Sequence, residues 1–342
     1  DFWNFLIPGV GLAPVLQFQV LITLFVIAIG PVNYYVLRRM GKLNLTVLIV
    51  PASALAITGA LLIYALVADG LSVRVRARSF THIDQKNGEA VCWSRLSYYA
   101  GLAPGDGLAF DSDTAVMPLD ADAAETDESA PKLVEWKQVD SENPKSPLVQ
   151  KLPDGWLYSR TPTQLVTARV RKSPAKLDIQ PASAGSAADG PKVTNHLGTP
   201  IQVLIVVDEN GTAYTAEKIG TDAAAQLNKV NSQADFLLAK IQPLLNANQP
   251  TVPDAMAGGA ANFQNRYRTF RYRQYASNAN SMPPVQVNSL LERSITTAQK
   301  QMMDDALPRH SYFAIVDQSP EVQLGTPTAK PELGFHVVVG EW

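Results

Sequence analysis

The chain has 342 residues, a formal net charge of −2 and a mean hydropathy of −0.02. That balance excludes a global electrostatic pull toward nucleic acid or acidic partners. A single cysteine, Cys92, excludes an internal disulfide and a cysteine-rich metal site.

The average conceals an asymmetry, because the N-terminal part is nearly all apolar and the remainder is polar. The chain opens on Asp1 with no basic n-region, so the first apolar stretch does not read as an intact signal peptide. We expect a cleaved signal or a further domain to precede it. Segment 1–14, DFWNFLIPGVGLAP, mixes aromatics with Pro and Gly and is expected along the outer membrane–water interface.

Two uncharged runs follow, 15–37 and 45–68. A bilayer core needs about 20 apolar residues in a helix. A central charge would cost at least about 2.5 kcal/mol, so the absence of charge is informative. Both runs are therefore expected to span a membrane as a hairpin; the alternative is a pair of buried core helices. The connection 38–44 carries Arg38, Arg39 and Lys42. The positive-inside rule places it in the cytoplasm and both outer ends in the periplasm. Tyr34 and Tyr35 suit the inner interface, Trp3 and Tyr64 the outer one.

Gly30-Pro31 should kink the first helix and Pro51 the second. Ala52, Ala56 and Ala60 recur every fourth residue, which permits close helix contact. They pack the pair together or form a docking face for another membrane subunit. Asn33, the one strongly polar side chain deep in the pair, is expected to staple the helices.

The chain beyond is expected to be α+β but mainly β and sandwich-like, with region 69–180 followed by region 181–342 and inserted amphipathic helices. Leu71 to Phe80 alternates Leu71, Val73, Val75, Ala77 with Arg74, Arg76, Arg78, the pattern of a half-buried strand. Asn87-Gly88 turns it into a second strand, Ala90 to Tyr99. The arginine stripe is either a solvated face or a contact for lipid headgroups or an acidic partner. Asp111 to Glu128 is acidic but lacks the order of a calcium loop, so a solvated loop is expected. QLVTARV reads as a strand, and Pro181 to Pro191 as a small-residue linker. Ile201 to Val207 and Thr212 to Lys218 form a β unit around Asn210-Gly211.

Leu227, Val230, Ala234, Leu237, Leu238, Ile241 and Leu245 keep a helical period. Ser289 and Glu292 form a capping box ahead of Ile295, Ala298 and Met302. Between these helices, Arg266, Arg268, Arg271 and Arg273 interleave with Tyr267, Phe270, Tyr272 and Tyr275. Such a pattern can bind nucleic acid, but the expected periplasmic location excludes that. A polyanion, lipid or protein contact remains, beside an exposed structural segment. Tyr312 to Val316 and Phe335 to Val339 are expected to complete the sheet.

The four histidines, His82, His196, His310 and His336, have no metal-ligand spacing. No G-x-S-x-G elbow, P-loop or G-x-G-x-x-G follows a strand. His82 and Asp84 share a strand face as a surface pair. Cys92 reads as a small packed residue. No catalytic residue, cofactor or metal is expected.

Gly30 to Asn44, GPVNYYVLRRMGKLN, with its flanking helices, resembles a hairpin recurrent in bacterial membrane proteins. Those proteins often carry a von Willebrand factor A-like or glutamine-amidotransferase-like domain before the hairpin and a β-rich domain after it. The strand pair after the second helix and the closing FHVVVGEW agree with that layout. The resemblance implies a bacterial inner-membrane protein, and the expected role is a scaffold or accessory subunit partnered by other membrane subunits. A periplasmic binding or sensor module is the alternative, and a hydrolase with a dispersed site a third.

Overall fold

The computed structural model describes residues 2–8, 10, 15–41, 45–70, 72–119, 133–140, 146–153, 155–180, 190–250 and 290–342. The first helix, α1, comprises Val15–Ile27, a wider π-helical turn at Ala28–Val32 and Asn33–Arg39. Pro31 has no N–H to give and its ring would meet the carbonyl four residues back; a π-helical turn is one of the ways a helix accommodates such a residue. The second helix, α2, runs Thr46–Asp69 with Pro51 inside it and ends at Gly70, whose φ is 69°. Within α1, Gln19–Arg39 is long and apolar enough to cross a membrane, and almost none of it is buried in the molecule. Among the described residues, Thr46–Gly59 is a shorter apolar helical stretch.

The remainder is mainly β. Its core is a nine-stranded sheet in the order β13-β11-β10-β14-β15-β1-β2-β7-β4. These strands are β1 (Val73–Asp84), β2 (Glu89–Ala100), β4 (Thr114–Leu119), β7 (Thr163–Lys172), β10 (Ile201–Val207), β11 (Ala213–Ile219), β13 (Asn228–Val230), β14 (Ser311–Val316) and β15 (Ala329–Glu341). Regions 69–180 and 181–342 thus contribute to one sheet. They join where β1 pairs in parallel with β15; the other ladders of this sheet are antiparallel.

Two three-stranded sheets cover one face of the large sheet. One is β3-β6-β5, from Leu108–Asp111, Leu148–Leu152 and Glu135–Gln138; the other is β12-β9-β8, from Ala224–Gln226, Lys192–His196 and Lys176–Gln180. Val75, Leu96, Tyr98 and Leu165 meet the first through Leu108, Phe110 and Leu152. Leu204, Val206, Ala314 and Val338 meet the second through Leu177 and Val193. The opposite face carries helices. Here α3 is Gln233–Phe236, Leu237–Ile241 and Gln242–Ala247, and α4 is Leu290–Met303. Leu237, Ile241, Ile295 and Met302 pack on Ile205, Phe313 and Val337.

Several boundaries differ from the sequence reading. Helix α3 begins at Gln233 because the Ser232 side chain accepts from the Asp235 N–H; Val230 instead ends β13, and Leu227 lies between Ala224–Gln226 and Asn228–Val230. Strand β15 begins at Ala329, since an irregularity between Val75 and Ala77 lets Pro331 enter the ladder without breaking it. Ser289, residues 120–132 and 181–189, and Arg266, Arg268, Arg271 and Arg273 lie outside the described residues. Asp111 and Asp113, expected in a solvated loop, both pair with the buried Arg169.

Candidate functional site

The arginine stripe of β1 is where the sequence reading changes most. Arg76 is 8% exposed and Arg78 3%, so this is not a solvated strand face. Arg78 donates from Nε and Nη2 to the Glu292 carboxylate of α4 at 2.5 and 3.0 Å, and from Nη1 to the Asn248 carbonyl at 3.0 Å. Its guanidinium also lies 4.8 Å from the Phe335 ring centre. Arg76 donates to the Leu6 carbonyl at 2.9 Å. Burial, then the neighbouring charge of Arg78, lowers the Arg76 pKa. Arg74 is half-buried and lies 3.4 Å from Glu332.

Arg95, not singled out in the sequence, completes this cluster from β2. Its Nε and Nη2 donate to Gln164 Oε1 at 3.0 and 2.7 Å. Burial pushes its pKa down to about 10, so it stays cationic at neutral pH. Both guanidiniums lie over the Phe5 ring, that of Arg76 at 4.6 Å and that of Arg95 at 4.9 Å from its centre. Gln164 Nε2 donates to the Phe2 carbonyl at 2.7 Å and to the Phe5 carbonyl at 3.3 Å. Ile7 and Val10 pack on Tyr99. The segment before α1 is therefore a strap over β1, β2 and β7, held by hydrogen bonds, cation–π contact and burial of Phe5, Leu6 and Ile7. The aromatics of DFWNFLIP read as a membrane–water interface segment; nothing local signalled that the sheet would bury them.

The helices present a second surface. Leu21, Ile22 and Phe25 of α1 face Ala54, Ile57, Thr58 and Leu61 of α2 across a shallow cleft. Ala52 and Ala56 are exposed and absent from that cleft. The small-residue positions described here therefore do not pack the pair together. Gly30 and Pro31 are exposed on α1, and no atom lies within 4 Å of a Cβ built on Gly30. Asn33 Nδ2 is buried with no hydrogen-bond partner among the described residues.

A third surface is an uncovered part of the large sheet. Register places Val91, Val166, Ala168 and Val170 on the face away from the small sheets, with Ala115 and Met117 beside them on β4. Met117 and Val170 are more than half exposed. Among the described residues, Met117 and Val170 belong to neither the cluster under α4 nor that under the strap.

Chemistry elsewhere is confined. Ser79 Oγ and His336 Nδ1 are hydrogen-bonded at 2.7 Å, but both residues are buried, and burial holds the His336 pKa down to about 4. Burial pushes the Cys92 thiol up to about 11, which leaves it un-ionised. Asp84 accepts from the Lys86 and Asn87 N–H groups and from Asn87 Nδ2, so it shapes the β1–β2 turn rather than serving His82. Among the described residues, no three His, Cys, Asp or Glu side chains are grouped to hold a metal. An open groove of about 510 Å³ lies between α3 and the ends of β10 and β11. Its rim groups bond one another, Lys240 to Glu217 at 2.9 Å and Gln202 to Asp317 at 2.8 Å.

No family model and no curated protein matches the chain. Among solved structures, the yeast delta-COP-I mu-homology domain complexed with a Dsl1 WxWxV peptide is 11% identical, over 46% of this chain and 74% of its own, with a TM-score of 0.21. The same domain without the peptide is also 11% identical, over 46% and 73%, with a TM-score of 0.19.

Proposed function

We propose that the chain is a non-catalytic scaffold or accessory subunit of a bacterial envelope membrane complex. In this reading α1 and α2 cross the inner membrane as a hairpin, with 38–44 in the cytoplasm and the β domain in the periplasm. Partners dock on the hairpin and on the outer domain.

The supporting observation is the strap. Residues before α1 and strands after α2 are hydrogen-bonded to each other, from Gln164 and Arg76 to Phe2, Phe5 and Leu6. A single crossing would put the strap and the sheet on opposite sides of a bilayer. Their contact favours an even number of crossings, and the two uncharged runs, with apolar exteriors, would supply two. The hydroxyls of Thr23 and Ser53 bond back to the Gln19 and Ile49 carbonyls, as a lipid setting demands. The basic residues Arg38, Arg39 and Lys42 between the two helices favour this orientation.

The scaffold role draws support from the exposed Ala52 and Ala56 and from the uncovered sheet edge. The resemblance of Gly30 to Asn44 to envelope-protein hairpins agrees with it. The groove beside α3 favours the binding-module alternative, but its polar groups are paired with one another rather than converging on a ligand.

The orientation is tested with single cysteines at Met40 and Lys86 in a Cys92→Ala background, using an impermeant maleimide. Position 86 should label in intact spheroplasts and position 40 only in inside-out vesicles. Labelling of both from one side would remove the spanning reading, and the reverse pattern would invert it. Recovery from native membranes in mild detergent should yield a complex, and Ala56→Leu should weaken its association. Recovery only as a lone monomer would overturn the scaffold role.

A further inference from the structure

We infer that the end of the sheet nearest the helices is a lipid-contacting rim, with Leu102, Tyr158 and Leu333 seated in the headgroup region of the bilayer. The inference rests on the spanning reading of α1 and α2 and extends it to the outer domain.

Register gathers these three residues at one end. Val73, which opens β1, pairs with Ala100 of β2 and with Ala329 of β15. Leu102 lies two residues past Ala100, and Tyr158 directly precedes Ser159, which bridges to Ala100. Leu333 lies in the irregular stretch of β15 between the pairs Val75–Pro331 and Ala77–Gly334. All three side chains are more than half exposed in the molecule. Two loops and the irregular start of β15, distant in sequence, thus each present a large apolar group toward the same end of the sheet.

Chain length sets the distance from that edge to the bilayer. Helix α2 ends at Asp69 and β1 starts at Val73. Four extended residues span at most about 14 Å. The polar headgroup layer on each side of the hydrocarbon is about 5–7 Å thick. Val73 is therefore tethered close to the membrane surface, and the strap, packed on Arg76 and Tyr99, ties the other helix end to the same region.

The chemistry of the rim suits lipid rather than water. Tyrosine prefers the membrane–water boundary, where its ring is buried and its hydroxyl wet. Arg160 and Lys330 are exposed beside the apolar groups, with long stems that can rest on acyl chains while the charge meets phosphate. Glu332 is tied to Arg74, and Asp106 is the other acidic side chain described in these loops.

The experiment uses the whole chain in bilayer discs, with one spin label at a time at positions 102, 158, 333, 86 and 55, in a Cys92→Ala background. Collision with oxygen is compared with collision with a water-soluble nickel complex. Lys86 sits at the turn on the far end of β1, and Leu55 is an exposed position on α2. Labels at 102, 158 and 333 should show an oxygen-to-nickel ratio several-fold above that at 86 and below that at 55. Ratios at the three sites equal to that at 86, with 55 still lipid-like, would overturn the rim alone. A water-like ratio at 55 would overturn the spanning reading and the rim together.

Discussion

Arg78 illustrates how a charged residue is kept inside this molecule. Its guanidinium is held by the Glu292 carboxylate, the Asn248 carbonyl and the Phe335 ring. Removing one partner strands the other's charge. Glu292→Ala should therefore destabilise the outer domain by about 3–5 kcal/mol in denaturant unfolding. Arg78→Met together with Glu292→Leu should lose less, because neither charge is then left alone. His336 gives a pH dependence. Its folded pKa is about 4, below the ordinary 6.5, because it is buried against Ser79. Its stabilising contribution is complete above pH 6.5. Between 6.5 and 4 the unfolded chain takes up a proton that the folded chain refuses, so stability falls as pH falls. The total loss is about 3 kcal/mol, and His336→Asn should flatten that window in unfolding measured against pH.

At the scale of elements, the strap joins the start of α1 to the sheet. Phe5 is buried under two guanidiniums, so Phe5→Ala removes both cation–π contacts and leaves a cavity. A loss of about 3–5 kcal/mol is expected. Hydrogen exchange at Leu6 and Ile7 should rise well above the rates in β10, whereas an unchanged pattern would show that the strap is not held there. Much of the element order was legible in the sequence. The charge-free runs gave α1 and α2, and alternation with Asn87-Gly88 gave β1 and β2. The burial of the arginine stripe was not legible. Apolar residues alternating with arginines look alike whether the second face meets water or protein. The groups that cover Arg76 and Arg78 are Leu6 and Glu292, far away in sequence. The start of α3 was misread because Leu227 is buried for a β reason, beneath the second small sheet, yet fits the helical period.

At the scale of the molecule, helices and strap protect only part of one sheet face. Among the described residues the apolar edge around Met117 and Val170 stays open, and in the scaffold reading a partner subunit covers it. Met117→Lys with Val170→Lys should reduce recovery of partners from detergent extracts. As surface changes they should shift stability by only about 0.5 kcal/mol each. Retained partners with both lysines present would move the docking surface elsewhere.

The parallel seam between β1 and β15 governs the order in which the protein can be made. Val73 finds its partner only when Ala329 has been synthesised. Until then the long first strand has a bare edge on that side, with backbone groups free to pair with any other extended chain. Closure of this sheet is thus obliged to follow synthesis of nearly the whole chain.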